Sequence, residues 1–399
     1  MQYQTNAIQK GIGNSEVSSQ WFKRPDDQKF LSLSDMYAAK RNLAVNMRSE
    51  IVDTHSLEVI GEPDEANPSR GFIKLGSKDR YLNDMETQPT HWSFGQLGQL
   101  AGAPASYLRD LPAPLAADCI QWGLRYNRSR EQVKLYSSTS STDGTGETRA
   151  ATGPDYGRIY DHEIIKPVMD LVERSGGAWK IPGMMVGVEN GLATYDPDVP
   201  VTLQTTTLFA SDHDVFLFLV DDRNPIEIGK LPSGEPDLVF RGFYASNSET
   251  GAASAKICAF YLRGVCANRC LWGVENFQEL KIRHSKFASD RFAYEAQPAL
   301  ESFAQGSTQT FLEGVHQAKA AKVAQDDDAR LDFLTKRAGL SARMGRAAIA
   351  RHVKEEGRPA ETVWDMSQAI TAVARDISHQ DSRLLLEKKA GEILDKVAA

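Results

Sequence analysis

The stretch FYASNSETGAASAKICAFYLRGVCANRC, residues 243–270, decides the fold because a strand-like run, a polar turn and a second apolar run follow one another in it. The turn at 246–251 has the Ser, Asn and Gly residues that favour chain reversals and helix caps. The run after it predicts a helix over 252–272, on which Lys256 and Arg263, seven residues apart, share one face. The turn, Asn247 included, would then offer donors to an anion at a helix N-terminus.

The sequence around this stretch predicts an α+β fold. Helical spacing of apolar residues predicts a helix over 161–174, which Gly176 and Gly177 terminate. Short β-branched and aromatic runs separated by turn residues follow, as is typical of an antiparallel β-meander. The predicted strands and helices do not alternate along the chain, so a doubly wound sheet is disfavoured. We therefore expect a meander with helices packed on one face, plus a C-terminal helical region.

Composition shifts predict three regions. These are a polar N-terminal arm at 1–30, an α+β core at 31–325 with its central sheet and helices at about 153–290, and a helical region at 326–399. Within the core, EQVKLYSS and ETRAATG predict a hairpin. SLSDMYAAKRNL predicts a helix, and the sequence at 90–112 predicts two short helices broken at 102–104. The acidic run at 326–328 indicates a linker or a helix N-terminus.

Composition also limits the function classes. The chain has 399 residues, a net charge of −7 and 41% hydrophobic residues, enough for a substantial core. It contains no apolar run of about 18 residues, and residues 1–20 lack a secretion-signal pattern, so we expect a cytoplasmic protein with no membrane segment. The few cysteines indicate thiols in a reducing compartment. Cys266, Cys270 and His284 lack a fourth zinc ligand, so core thiols are favoured and we expect no metal or cofactor.

No catalytic motif stands out. The sequence has no nucleophile elbow, zincin, P-loop or dinucleotide-binding signature. His213 lies between two aspartates in SDHD, a stretch better interpreted as a loop before a strand. We therefore assign no catalytic residue, while an enzyme that uses Glu249 and His284 around a nucleotide remains one alternative.

Basic residues mixed with aromatic ones form two clusters. WGLRYNRSREQVK, residues 122–134, suits phosphate contacts beside a stacking ring, and KIRHSKFASDR, residues 281–291, is the most basic stretch of the chain. A solvated surface with salt bridges is the alternative for both. The predicted nucleic-acid contacts are Arg125, Tyr126, Arg128, Asn247, Lys256, Arg263, Arg269, Arg283 and Lys286.

Four segments resemble a known family. In order they are YGRIYDHEIIKPVMDLV, the stretch at 243–273, IRHSKF and ETVWDMSQAITAVARD. Together they resemble the phage/plasmid-like proteins grouped as domain of unknown function 932, over about residues 35 to 395. The resemblance implies work on nucleic acid in a bacterial cytoplasm, in the setting of a mobile genetic element.

A second resemblance is to single-strand annealing recombinases of the eukaryotic mediator and phage types. It rests on the order of four features along the chain. These are a helix, then Ser175–Trp179 at the start of a meander, then a polar turn after the last strand, and finally a predicted helix that bears Lys and Arg and ends in an aromatic residue and glycine. The resemblance implies a ring-forming core, with Lys256, Arg263 and Arg269 on a helix beside single-stranded DNA and Trp179 packed at the first strand. Cys266 to Asn268 depart from that pattern, because charged residues are common there in those families.

These observations predict a non-enzymatic, homo-oligomeric protein that binds single-stranded DNA or RNA during recombination or replication of a mobile element. The alternatives are an interaction or inhibitor protein that engages a host protein, and a nucleotide-handling enzyme. Binding through phosphates would weaken as the salt concentration rises.

Overall fold

A computed structural model describes most of the chain. The described residues are 24–63, 71–77, 87–126, 131–139, 146–187, 193–196, 198–231, 234–263, 268–270, 279–323, 325–377 and 380–398. Their strands are β1 (Lys29–Phe30), β2 (Met47–Asp53), β3 (Leu57–Pro63), β4 (Gly71–Ser77), β5 (Thr87–Pro89), β6 (Gln132–Thr139), β7 (Gly146–Thr152), β8 (Trp179–Lys180), β9 (Met184–Gly187), β10 (Ala193–Asp196), β11 (Leu208–Ala210), β12 (Val215–Lys230), β13 (Pro236–Asn247), β14 (Ala255–Arg263), β15 (Asn268–Cys270) and β16 (Glu279–Ile282).

The helices of the described residues occur mainly in the first half of the core and at the C-terminus. They are α1 (Leu33–Val45), α2 (His91–Ala101), α3 (Ala105–Leu108), α4 (Ala113–Tyr126), α5 (Asp161–Arg174), α6 (Ala288–Gln305), α7 (Gln309–Ala320), α8 (Asp327–Lys336), α9 (Ala342–Glu356), α10 (Val363–Ala374) and α11 (Gln380–Ala398). None of them is long and apolar enough to cross a membrane. Because these helices accompany separate sheets of mainly antiparallel strands, the α+β fold class is confirmed.

The first sheet has six strands in the order β2-β6-β7-β5-β4-β3, with β5 and β7 parallel and the other neighbours antiparallel. Helices α2 and α4 cover one of its faces, where Phe94, Leu97 and Ile120 join residues of the strands in one core. The predicted hairpin is confirmed, because β6 and β7 pair antiparallel. The helix break at 102–104 is confirmed as well, since Gly102 ends α2 in a left-handed conformation with φ 71°.

The central sheet has eight antiparallel strands. Its main order is β1-β11-β12-β13-β14-β15, with β8 paired to β12 and β16 paired to β14. One face carries the largest core, to which α1, α5, α6 and the C-terminal helices contribute. The opposite face carries an aromatic layer whose described members all lie on strands: Phe209, Phe216, Phe218, Val220, Leu238, Phe240, Tyr244, Cys258, Phe260 and Leu262.

The prediction of a helix over residues 252–272 is wrong. Residues Ala255–Arg263 form β14, which pairs with β13 on one side and with β15 and β16 on the other. Every residue of β14 except Lys256 is buried, since both faces of this central strand are covered. Such a doubly buried strand is apolar throughout, so its sequence cannot be distinguished from a buried helix by periodicity.

The C-terminal helical prediction is confirmed. Asp326 is a helix N-cap, because its carboxylate accepts a hydrogen bond from the Ala329 amide over 2.8 Å. Thr362 and Asp365 form a capping box that starts α10. Helix α10 is almost wholly buried between the central sheet and the neighbouring helices, so this region completes the core of the molecule.

Candidate nucleic-acid interface and cleft

Three of the sequence motifs converge in space. The turn at 248–251 joins β13 to β14, the segment at 156–161 leads into α5, and Arg283 and His284 follow β16. The turn closes with a hydrogen bond of 3.1 Å from the Gly251 amide to the Ser248 carbonyl oxygen. Gly251 has φ 87° and a Cβ there would lie 3.2 Å from the Tyr156 ring, so glycine fits both the backbone and the contact.

A buried ion pair fastens the turn to the segment before α5. Arg158 donates to the Glu249 carboxylate from Nε over 3.0 Å and also from Nη2, and both side chains are 2% exposed. The other Glu249 oxygen accepts from the Asp161 amide over 2.6 Å. Burial raises the pKa of Glu249, but the charges of Arg158 and Lys40, together with the hydrogen bonds from Arg158 and the Asp161 amide, outweigh it, so this pKa lies below its ordinary value.

Asp161 extends the network. Its carboxylate accepts from Asn247 Nδ2 over 3.0 Å and pairs with Lys40 Nζ at 3.1 Å. Burial, and after it the nearby Glu249 carboxylate, raise the pKa of Asp161 to about 7. Asn247 Nδ2 also donates to the Ile159 carbonyl oxygen over 2.8 Å. Two carboxylates and two cations therefore meet at one buried place, and their contacts define its geometry.

An aromatic pair lies next to this network. The rings of Tyr156 and His284 are stacked with centroids 4.9 Å apart. The Tyr156 hydroxyl lies 3.3 Å from the Ser248 and Glu249 carbonyl oxygens, and both ring nitrogens of His284 lie 3.1 Å from carbonyl oxygens, those of Gly157 and Ala253. Burial lowers the pKa of His284, although both carbonyl oxygens favour the charged ring.

A cleft of about 1040 Å³, here called the Tyr156 cleft, opens above the aromatic pair. It lies between the first sheet with α2 and the turn of the central sheet. The described residues that line it are Asp53, Gln96, Gln99, Leu100, Glu131, Gln132, Ala151, Thr152, Gly153, Pro154, Asp155, Tyr156, Gly251, His284 and Ser285. Its volume is at the upper end of the range usual for small-molecule sites, and most of its described lining residues are polar, although much of the lining surface is apolar.

A basic strip, defined as Lys256, Lys281, Arg283 and Lys286, runs beside the cleft mouth. Lys281, Arg283 and Lys286 are exposed, and Lys256 is half-buried. Lys256 and Lys281 are directly opposite each other in the antiparallel pairing of β14 and β16. Like charges in that arrangement repel each other, so a bound anion would stabilise them. In the described part of the chain, none of the four makes an ion pair with a carboxylate.

Exposed aromatic side chains flank the strip. Phe287, directly before α6, is 67% exposed, and Tyr294 on α6 is 83% exposed. Phe287, Arg291 and Tyr294 are four and three residues apart, so they lie on one face. The Lys286 ammonium is 5.8 Å from the centre of the Phe287 ring. Cations and exposed rings together are the usual equipment of a single-strand binding surface.

Comparison with protein families assigns part of the chain. Residues 199–381 match the family model of DUF932, a domain of unknown function. This match supports the resemblance to DUF932 proteins that the sequence segments indicate. No curated protein and no solved structure matches the chain, so the likeness to annealing recombinases rests on the order of sequence segments alone.

The DUF932 match contains two of the three converging motifs, the turn at 248–251 and the residues after β16. The third motif, at 156–161, precedes the match, which is narrower than the span of about 35 to 395 expected from the sequence. Arg158 and Asp161 nevertheless bind Glu249 directly. The DUF932 segment is therefore joined by buried ionic contacts to the part of the chain before it.

The predicted site residues fall into separate places. Lys256, Arg283 and Lys286 belong to the basic strip, whereas Arg125 and Tyr126 are exposed at the end of α4 in the first sheet's layer. Arg128 lies outside the described residues. The backbone of Arg269 is in β15, opposite Leu262, but its side chain is outside the described part. No helix presents Lys256, Arg263 and Arg269 together, because Lys256 and Arg263 lie on a strand.

Two predicted contacts are buried, which corrects their assignment to the surface. Asn247 is 2% exposed and holds Asp161, and Arg263 is 6% exposed. Arg263 pairs with Asp237 at 2.8 Å and with Glu356 at 2.6 Å. A phosphate would have to displace these carboxylates from a dry site. Both residues therefore act structurally.

Glu249 and His284 do come close together, but Glu249 is buried in its ion pair with Arg158 and His284 binds two carbonyl oxygens. The SDHD stretch is a turn before β12, because Ser211 Oγ accepts a hydrogen bond of 3.2 Å from the Asp214 amide. Residues missed by the sequence analysis are Phe287, Tyr294 and Tyr156. The spacing of Phe287, Arg291 and Tyr294 around a helix is the signal that could have identified the first two.

Proposed function

We propose that this chain binds single-stranded nucleic acid through the basic strip, in the recombination or replication of a mobile genetic element. The observation that carries the proposal is the row of four cations, three of them exposed and Lys256 half-buried, next to the exposed Phe287 and followed by the exposed Tyr294 on α6. Phosphates would bind the cations and bases would stack on the rings. The biological setting is supported by the resemblance to phage/plasmid-like proteins.

A local strip is needed because the whole chain is acidic, with a net charge of −7. General attraction of nucleic acid to the protein surface therefore does not supply the affinity. The exposed rings favour a single strand over a duplex, because the bases of a duplex are stacked on each other and cannot reach a protein ring without unpairing.

The test is fluorescence anisotropy with labelled single-stranded and duplex oligonucleotides of equal length, over a series of salt concentrations. We expect tighter binding of the single strand. The triple variant Lys281→Ala/Arg283→Ala/Lys286→Ala should bind more weakly, and its slope of log affinity against log salt should be smaller by roughly 2, which is about 0.7 for each of three lost phosphate contacts.

The matched control is Arg343→Ala/Arg346→Ala/Lys354→Ala, which removes three exposed cations from α9. It makes the same change in net charge at another surface, so it should retain nearly the whole salt slope. Equal losses in the two triple variants would show that net charge, not the strip, controls binding. An absence of binding by the wild-type protein at low salt would refute the proposal.

A second candidate function, binding of a protein, is favoured by an apolar patch on α4. Leu115, Trp122 and Tyr126 are 49%, 66% and 64% exposed, and their spacing of seven and four residues aligns them on one stripe. The Trp122 and Tyr126 rings are 4.2 Å apart. Exposed aromatic clusters are enriched at protein interfaces. A second copy or a host protein would cover this stripe, and a Trp122→Ser variant with a lower mass in light scattering would identify the former.

A further inference from the structure

The Tyr156 cleft and the basic strip share a border. Ser285 lines the cleft, and the residues on either side of it include Arg283 and Lys286 of the strip. A nucleic-acid strand on the strip would therefore pass the mouth of the cleft. At 1040 Å³ the cleft can hold a group as large as a nucleotide base with water around it.

The charges of the cleft oppose those of the strip. Asp53, Glu131 and Asp155 line it with exposed carboxylates, and no Lys or Arg is among its described lining residues. A phosphate inside would be repelled, whereas a neutral group with N–H donors would be attracted. The strip would therefore bind the phosphates of a nucleotide, whereas the cleft would bind its uncharged base.

Two amides add both donors and acceptors. Gln99 and Gln132 are exposed at the cleft, and their side chains make no hydrogen bond within the described part of the chain. Gln96 differs, since its amide bridges the Thr250 carbonyl oxygen at 2.6 Å and the Ala151 amide at 2.8 Å. Gln96 thus fixes the wall of the cleft, while Gln99 and Gln132 remain able to bind the edge of a base.

We propose that the Tyr156 cleft takes a splayed-out nucleobase of the strand whose phosphates bind the basic strip, and that it prefers bases with an exocyclic amino group. This inference rests on the proposed function. A carboxylate accepts the amino hydrogens of cytosine or adenine, as in major-groove recognition of cytosine by Glu or Asp. Thymine and uracil present carbonyl oxygens at the corresponding position, and these face carboxylates unfavourably.

The experiment compares three labelled probes of equal length at low salt. They are oligo-deoxycytidine, oligo-thymidine and an abasic deoxyribose-phosphate chain. We expect oligo-deoxycytidine to bind at least about fivefold more tightly than oligo-thymidine, as one good base contact gives. The abasic chain should bind no better than oligo-thymidine.

The variant Glu131→Gln/Asp155→Asn replaces two of the acceptors with amides that both donate and accept. Its ratio of deoxycytidine to thymidine affinity should fall towards one, even though the lost negative charge raises affinity for every probe. The control Glu173→Gln/Glu227→Gln makes the same charge change at exposed residues outside the cleft lining and should keep the wild-type ratio.

The outcomes separate the two proposals. Equal wild-type affinities for oligo-deoxycytidine and oligo-thymidine, both tighter than that for the abasic chain and dependent on the strip, would overturn the cleft inference and leave the proposed function standing. A preference that the cleft variant retains would place base recognition elsewhere and also overturn the inference. No binding of any probe would overturn both.

Discussion

Removing the charge of Glu249 should destabilise the fold more than any surface change. In Glu249→Gln the acceptor for the Asp161 amide is kept, but the Arg158 guanidinium, with a side chain 2% exposed, loses its counter-ion. The attraction between unit charges about 4 Å apart is about 4 kcal/mol at an effective dielectric constant of about 20. Loss of one partner of a buried pair typically costs about 3–5 kcal/mol.

One effect reduces this cost. Glu249 repels the neighbouring Asp161 carboxylate and, after burial, is the main cause of its raised pKa. Without Glu249 that repulsion disappears, so we expect a loss at the lower end of the range, about 3 kcal/mol in the free energy of unfolding. The assay is urea denaturation followed by tryptophan fluorescence at neutral pH.

A double-mutant cycle tests the cause of the loss. Because Arg158→Met removes the stranded cation, the double variant Arg158→Met/Glu249→Gln should be more stable than the sum of the single changes predicts, by at least about 1 kcal/mol. Glu173→Gln, at an exposed residue of α5, should change stability by less than about 0.5 kcal/mol. Additive single changes, or a loss below about 1 kcal/mol in Glu249→Gln, would refute the reasoning.

Three further changes test other contacts. Gly251→Ala should cost about 1–2 kcal/mol in unfolding experiments because of its φ of 87°, whereas Gly76→Ala, with open space and no such φ, should change stability by less than about 0.5 kcal/mol; similar losses in both would contradict this. Asp161, whose pKa burial raises from 3.8 to about 7, binds a proton more tightly in the folded state, so it should make the wild type lose stability as pH rises from 3.8 to 7. Asp161→Asn should abolish that part of the slope in urea titrations, and an unchanged slope would show that another group titrates. Arg263→Ala should lower the melting temperature in scanning calorimetry while the salt slope of oligonucleotide binding is unchanged; a smaller slope with unchanged stability would restore Arg263 to the binding surface.

Much of the local structure can be predicted because its signals are local. The bounds of α5 follow from apolar residues at helical spacing and from the glycines after Arg174. Helix α1 begins after Ser32, whose Oγ accepts a hydrogen bond of 3.1 Å from the Asp35 amide. The hairpin of β6 and β7 likewise follows from alternation around a turn.

The candidate site was predicted only in part. Arg283 and Lys286 can be identified from sequence because charged side chains near a turn are usually exposed. The burial of Arg263 could not be, since its partners Asp237 and Glu356 are 26 and 93 residues away. Phe287 and Tyr294 were missed because an aromatic residue on a helix is ordinarily assigned to the core, and only their spacing with the charged Arg291 indicates an exposed face.

The sequence by itself determined the α+β class, the helical C-terminus and the basic character of residues 281–291, because composition, caps and periodicity act over a few neighbouring residues. Tertiary structure alone decided that Ala255–Arg263 is a strand, since pairing on both sides and burial on both faces outweigh any local preference of an apolar run. It also decided that Arg158, Glu249 and His284 meet below one cleft. Contacts between segments so far apart depend on how the two sheets pack together, which no local pattern specifies.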